Sequence, residues 1–292
     1  MRIPAVGATT LAAVLDAGSM EAAAERLHIT TSAVSQRIRA LEAELGRVLL
    51  VRSKPLRATP AAHPIVRFAR QLDLLAQDAA IELGAAAART SIPLAVNADS
   101  LATWFLPPLA RLCARHPVVF DLHRDDQDFT AGLLEEGVVM AAVTSRAEPV
   151  AGCRVQALGV LRYEAVAAPA FVRAHFAGGV SPDALARAPL VDFDRRDDLQ
   201  SRWLVAQGAD PSSPPRHRVP ASQDFAAATV LGLGWALLPE RQARPGIADG
   251  TLVALGGPAI DVPLYWQQWN LRSTLLDAVA EDVVAEGRRV LR

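Results

Sequence analysis

The sequence predicts an α/β protein in three consecutive parts: a helical module closed by a short strand pair, one long linking helix, and a larger two-part body. Three observations carry this reading. Helical apolar periodicity runs through the first sixty residues, an a/d-type seam follows from 65 to 83, and strands alternate with helices from 92 onward. The length of 292 residues suggests two domains at about 150 residues each. With 51% hydrophobic and 21% charged residues and a mean hydropathy of +0.19, the chain is no disordered polyelectrolyte. No uninterrupted apolar run reaches the length of a membrane span. The apolar start is broken by Asp16 and Glu21, unlike a secretory signal, so a cytoplasmic protein with no membrane partner is predicted. Two cysteines, Cys113 and Cys153, are too few for a disulfide framework or a four-ligand zinc site.

The net charge of −1 conceals an asymmetry. Residues 1–62 hold eight basic side chains against five acidic ones, which leaves 22 basic and 26 acidic in the rest. A small basic module on an acidic body points to a polyanion partner at the N-terminal end.

In the first helix Val6, Leu11, Val14 and Leu15 line one face, and Gly18 ends it. Ser19 can cap a second helix, MEAAAERL, with Ala22, Ala23 and Leu27 available for burial. After a short break a third helix runs from about 32 to 45, with Val34, Ile38, Leu41 and Leu45 as its buried stripe and Gly46 as its stop. The other face of that helix carries the chemistry. Thr31, Ser32, Ser35, Gln36, Arg37 and Arg39 crowd its N-terminal end. Hydroxyls and arginines bond phosphates, glutamine can read adenine, and arginine can read guanine. Helix, tight turn and second helix is the helix-turn-helix arrangement, and LLVRSKPLRATPA reads as a wing whose turn holds Arg52, Lys54 and Arg57. From pattern alone the alternative is a plain three-helix bundle with a solvated polar face.

The run AAAERLHITTSAVSQRIRALEAELGRVLLVRSKPLRATPAA resembles the winged helix-turn-helix of LysR-type transcriptional regulators. Met20 stands where that family usually has an aromatic residue. The resemblance implies double-stranded DNA as partner, with promoter or operator recognition and RNA polymerase as a candidate further partner.

From Thr59 and Pro60 a helix follows in which Ile65, Phe68, Leu72, Leu75, Ala79 and Leu83 recur at three- and four-residue spacings. Pro64 predicts a delayed start or a bend. By resemblance this is the linker helix that pairs two subunits, with Ile65, Phe68, Leu72, Leu75 and Leu83 as the dimerisation seam. A helix packed on its own domain is the alternative. Residues 1–58 are thus the DNA-binding domain and 59–90 the linker.

Beyond residue 90, strand-like runs at 92–98, 118–126 and 138–145 alternate with helices and imply parallel crossovers. A second set of strands reads at 162–171, 189–195, 217–222, 235–240 and 262–269, before a final helix over 273–291. In open α/β sheets, ligands bind beyond the carboxyl ends of strands. Those places hold Asp99, Ser100 and Trp104, then Asp125 and Asp126, then Thr144, and, before a later helix, Asp224. Hydroxyls and helix starts suit a carboxylate, and clustered acids suit a cation. Together they describe a basic amino acid held by its carboxylate at Ser100 and Thr144 and by its cation at the aspartates, with Trp104 as an apolar or cation–π wall. Ordinary caps and solvated turn acids are the plainer account.

The stretches VNADSLATWFLPPLA, LGVLRYEAVAAPAFVRAHF, PLVDFDRRDDLQ and LYWQQW resemble the effector domain of the lysine- and arginine-responsive branch of LysR-type regulators. The resemblance implies a two-lobed effector domain over 91–292, similar to periplasmic solute-binding proteins. Lobe I would be 91–161 with 267–292, lobe II 162–266, and the ligand would lie between them. It further implies L-lysine or L-arginine as effector with no other cofactor, genes of basic-amino-acid export or metabolism as targets, and a homodimer or dimer of dimers. Spacing alone does not separate lysine from arginine or histidine.

No G-x-S-x-G, P-loop or H-E-x-x-H motif is present and the six histidines are scattered, so an enzyme is not expected. GLGWALLP (232–239) reads as a close-packed turn. A redox-responsive regulator using Cys113 and Cys153 is the alternative, with buried inert thiols as the default. A solute-binding receptor without DNA function is the remote one.

Overall fold

The computed structural model describes residues 3–83, 90–125 and 130–292. The chain opens with α1 (Ala5–Ala17), α2 (Met20–Arg26) and α3 (Thr31–Leu45), followed by the two-stranded β1 (Leu50–Val51) and β2 (Arg57–Ala58). Local chemistry sets these boundaries. The Ser19 and Thr30 hydroxyls accept the N–H groups of Ala22 and Ala33, each over 3.1 Å, and so cap α2 and α3. Gly18 and Gly46 close α1 and α3 in the left-handed region that glycine adopts without penalty. β1 and β2 pair antiparallel, Leu50 opposite Ala58 and Val51 opposite Arg57, which is the expected wing.

The core of this module joins Leu11, Val14, Val34, Ile38, Leu41 and Leu49 to Ile65 and Val66 of α4 (His63–Glu82). Two expectations change. Val6 is exposed, because Gly7, Ala8 and Leu11 are the residues of α1 that turn inward. Ile65, read as part of a subunit seam, is 4% exposed and belongs to this chain's own core, with Phe68 packed against it. The first turns of α4 face α1, and only later does the same stripe emerge: Leu75 is exposed and Leu83 is 87% exposed. The helix begins at His63 rather than at Pro60, which leaves Pro64 in the first turn, where its missing N–H costs little.

The remaining elements are β3 (Thr90–Asn97), α5 (Ala98–Thr103), α6 (Leu106–Arg115), β4 (Val118–Asp125), α7 (Thr130–Glu135), β5 (Ala141–Thr144), β6 (Cys153–Ala167), α8 (Pro169–His175) and α9 (Pro182–Arg187). They continue with β7 (Leu190–Asp192), α10 (Leu199–Ala206), β8 (Arg216–Arg218), α11 (Ser222–Val230), β9 (Ala236–Pro239), α12 (Glu240–Asp249), β10 (Val253–Ala254), β11 (Ile260–Trp269) and α13 (Thr274–Val290). The strand expected at 162–171 is the second half of the longer β6. It gives way to α8 where Pro169 occupies a first helical position, as proline prefers.

The chain divides into two compact units. The first comprises 1–96, 109–155 and 266–282; the second comprises 97–108, 156–265 and 283–292. β6 and β11 each supply residues to both. In the first unit β3 runs parallel to β5, with Leu94 opposite Ala141, and β4 flanks β3. There Gln267 of the LYWQQW stretch accepts from Val150 N over 2.8 Å and donates to the carbonyls of Arg146 and Glu148, so it staples a loop to the sheet. In the second unit β6 pairs antiparallel with β9 and β10, and β7 pairs parallel with β8. Phe225, Val191, Ala236 and Leu238 form part of its core. A side chain on Gly234 would stand 2.9 Å from the Pro189 carbonyl, so the glycines before β9 do make a close-packed turn.

Candidate functional site

The first candidate surface is the exposed end of α3 with the wing. Thr31, Ser32, Gln36 and Arg39 are exposed, and Ser35 and Arg37 are half-buried beside them. Arg52, Lys54 and Arg57 are exposed on the wing. Val34, Ile38 and Leu41 anchor the opposite face of α3, so the polar face is presented by a rigid scaffold. The turn into α3 is sharp. His28 adopts a positive φ of 53° there, and the N–H of Ile29 reaches back to the Ala24 carbonyl over 3.0 Å. The Leu49 N–H donates to Glu42 over 2.8 Å and Thr59 Oγ1 donates to the Val48 carbonyl over 2.8 Å, which fixes the wing against α3.

The second candidate lies in the second unit, around Asp99 in the first turn of α5. Ser222 Oγ donates to Asp99 Oδ1 over 2.6 Å, and Tyr163 OH donates to Oδ2 over 2.7 Å. Ser222 in turn accepts from Gln242 Nε2 over 3.1 Å. Burial pushes the Asp99 carboxyl above its usual range, against these two hydroxyls that favour its ionised form. Asp197, burial of which raises it to about 6, accepts the N–H groups of Phe193 and Leu199 and feels the charges of Asp192 and Asp99. Asp192 is satisfied by Arg216, which reaches both of its oxygens over 3.0 and 2.8 Å. Among the described residues Asp99 and Asp197 have no ion pair. The same unit holds buried polar atoms without a partner among the described residues: Ser100 Oγ and Asn97 Oδ1, near Asp99 in sequence, and Gln200 Oε1, three residues after Asp197. A buried unpaired acceptor costs stability unless something occupies it. The arrangement offers ionisable carboxylates and spare polar atoms to a small cationic ligand with hydrogen-bonding ends.

The expected site residues separate accordingly. Asp99 and Ser100 fall in this cluster. Trp104 does not offer an open face: its ring is 1% exposed, stacked edge-on against Phe105 with centroids 5.8 Å apart. Asp224 is exposed in the first turn of α11, where Ser222, two residues earlier, reaches Asp99 instead. Thr144 is buried at the end of β5 in the first unit and accepts from Arg146 N over 3.2 Å. Asp125 ends β4, and Asp126 lies outside the described residues. Tyr163, Asp192, Asp197 and Gln200 were not among the expected ligand contacts, whereas Ser222 stands at the helix start where ligand groups are expected. The sequence signal for three of them, Asp192, Asp197 and Gln200, was the acid-rich PLVDFDRRDDLQ stretch. Both cysteines are free; Cys113 is exposed rather than buried, and burial pushes the Cys153 thiol up to about 11, the opposite of an activated thiolate.

Residues 8–63 match the family model of bacterial regulatory helix-turn-helix proteins of the lysR family, and residues 86–288 match the LysR substrate binding domain. The chain belongs to the LysR family. Its fold is the α/β architecture of that family, a helix-turn-helix followed by a substrate-binding domain. Among solved LysR-family structures, ArgP from Mycobacterium tuberculosis is 45% identical, with a TM-score of 0.89 over 98% of each chain. Full-length LysG from Corynebacterium glutamicum with bound effector Arg is 37% identical, with a TM-score of 0.81 over 99% of each chain. The lysine export transcriptional regulatory protein LysG of Corynebacterium glutamicum is 40% identical over 285 residues, which cover 96% of this chain and 97% of that one. The LysR relatives are transcriptional regulators and not enzymes, as the motif survey led us to expect. Among the described residues of this LysR-family chain, no helix is long and apolar enough to cross a membrane.

Proposed function

We propose that this LysR-family regulator binds operator DNA through α3 and the wing and answers to a basic amino acid, L-arginine or L-lysine, held at the Asp99 cluster. The observation that carries the reading is the Asp99 carboxylate itself. It is half-buried, bonded to two hydroxyls, close enough to Asp197 for their charges to interact, and without an ion pair among the described residues. A guanidinium or ammonium supplies the missing positive charge, and Ser100 Oγ is a spare group for the ligand's polar end. The arginine-bound LysG structure supports the same ligand class.

In this reading Thr31, Ser32, Arg37, Arg39, Arg52, Lys54 and Arg57 contact phosphates or bases, and Gln36 reads a base edge. The later part of the stripe, half-buried Leu72 with exposed Leu75 and Leu83, pairs two subunits so that two half-sites are read together. The name of the lysine export relative supports genes of basic-amino-acid export or metabolism as targets. The test is a thermal-stability panel of the full-length protein against the twenty amino acids. A ligand that binds only the folded state raises the melting temperature. Arginine and lysine are expected to raise it in a saturable way while leucine and glutamate do not; a flat panel would overturn the effector assignment.

A further inference from the structure

Arg70, in the middle of α4, is not needed by any role described so far, yet it holds three pieces of the first unit at once. Nη1 donates to the Gly137 carbonyl over 2.6 Å and also to the Val138 carbonyl. Nη2 pairs with Asp16 of α1 over 2.6 Å. The side chain is 15% exposed, so these bonds are largely shielded from water. Asp16 also faces Arg26 of α2 over 3.5 Å. One turn earlier Arg67 donates to the Ala151 carbonyl over 3.1 Å. A side chain on Gly137 would come within 2.9 Å of the Arg67 backbone nitrogen, so α4 lies directly on this loop. Gly137 itself has φ +73°, a conformation that also excludes most other residues.

The other ends of these contacts give the cluster its meaning. Asp16 is in α1, inside the stretch that matches the helix-turn-helix family model. Gly137 and Val138 lie on the short connection between α7 and β5, inside the stretch that matches the LysR substrate binding domain. That connection is stiff. Thr130 Oγ1 donates to the Val143 carbonyl over 2.8 Å, and the N–H of Val138 returns to the Leu133 carbonyl over 2.8 Å. A displacement of β5 therefore reaches Gly137 and Val138 through a four-residue strand and a bonded turn rather than through a slack loop.

We infer that Arg70 is the coupling residue of this regulator, a clasp through which the α7–β5 segment of the effector domain biases the position of α1 and hence of the DNA-reading module. The inference rests on the proposed response to a basic amino acid and adds the route by which it acts. Arginine is suited to the task because its guanidinium presents several donors in a fixed plane, so one side chain can satisfy two carbonyls and a carboxylate simultaneously. Coupling of this kind requires that the effector favour one arrangement of the clasped pieces over the other.

The experiment measures, for the full-length protein, operator affinity and operator bending with and without saturating L-arginine, alongside direct arginine titration. Wild type is compared with Arg70→Met, which keeps the apolar stem, and with Asp16→Ala, which removes the arm to α1 together with the exposed contact to Arg26. In both variants the ratio of DNA affinity with and without arginine is expected to fall to within about twofold of one, with the bend also insensitive, while each ligand still binds. Arg70→Lys is expected to restore part of the response, because it keeps the charge and loses the fork. A folded variant of either kind that keeps the wild-type response overturns the inference. So does a wild type that binds arginine and changes neither affinity nor bend. Wild type that fails to bind arginine overturns the effector reading instead, which keeps the two failures apart.

Discussion

Ser222 donates its hydroxyl to Asp99 over 2.6 Å, tying the start of α11 to the start of α5 across 123 positions of sequence. Two helix starts thus share one carboxylate, and the Tyr163 hydroxyl holds its other oxygen. Ser222→Ala removes a bond that favours the ionised acid. Hydrogen bonds to charged groups contribute about 1.5–3 kcal/mol, so arginine affinity is expected to fall roughly tenfold or more. Calorimetric titration of the variant checks this, and operator affinity measured without arginine should stay unchanged.

Arginine binding should release a proton near pH 6. Burial raises Asp197 to about 6, so the free protein carries it partly protonated there. A cationic ligand favours the carboxylate, lowers that value and expels the proton, so affinity should rise between about pH 5 and 7. Stability without ligand runs the other way. The folded state retains a proton that an unfolded Asp has lost above its ordinary 3.8, so this group's contribution declines as pH rises from 3.8 through about 6. Titration at pH 6 in two buffers of different ionisation enthalpy reads the proton directly; identical apparent enthalpies would contradict the assignment.

The wing and α3 should fail differently when truncated. Arg52, Lys54 and Arg57 are exposed around a short turn and suit phosphates. Alanine at each should make the dependence of log affinity on log salt shallower by about one, uniformly across operator sequences. Gln36→Ala should instead relax preference at one base position, at a cost of about 1–3 kcal/mol, with the salt slope kept. Binding isotherms over a salt series on operator and scrambled DNA separate the two.

One stripe on α4 should give two phenotypes. Ile65 is buried in the N-terminal core, so Ile65→Ala should destabilise the fold by about 2–5 kcal/mol. Leu75 is exposed, so Leu75→Asp should leave thermal stability near that of wild type while weakening self-association. Sedimentation velocity and thermal unfolding of both variants distinguish the roles.

Much of this was legible in the sequence because local rules decide it. Ser19 and Gly46 mark helix ends through their own side-chain or backbone chemistry, and the Val34–Ile38–Leu41 stripe orients α3 without help from distant residues. The seam on α4 was less legible, because a periodic apolar face does not say whether this chain or another covers it. Ile65 found α1 of its own module. The ligand cluster was half legible. Asp99 and Ser100 follow a strand end, which a topological rule can find. Tyr163 and Asp197 join them only through the tertiary fold, and at the start of α11 the first residue, Ser222, bonds Asp99 in place of the more conspicuous Asp224. Trp104 misled for a related reason: a tryptophan beside a polar strand end suits a ligand wall, but here its ring fills the interior next to Gly287.

The most direct test is calorimetric titration of L-arginine into full-length wild type and Asp99→Asn. The substitution keeps the shape and removes the charge. Saturable one-site binding to wild type, weakened at least about tenfold in the variant while operator affinity stays within about twofold, is the predicted result. Equal arginine binding by both proteins would contradict the account and move the effector away from Asp99.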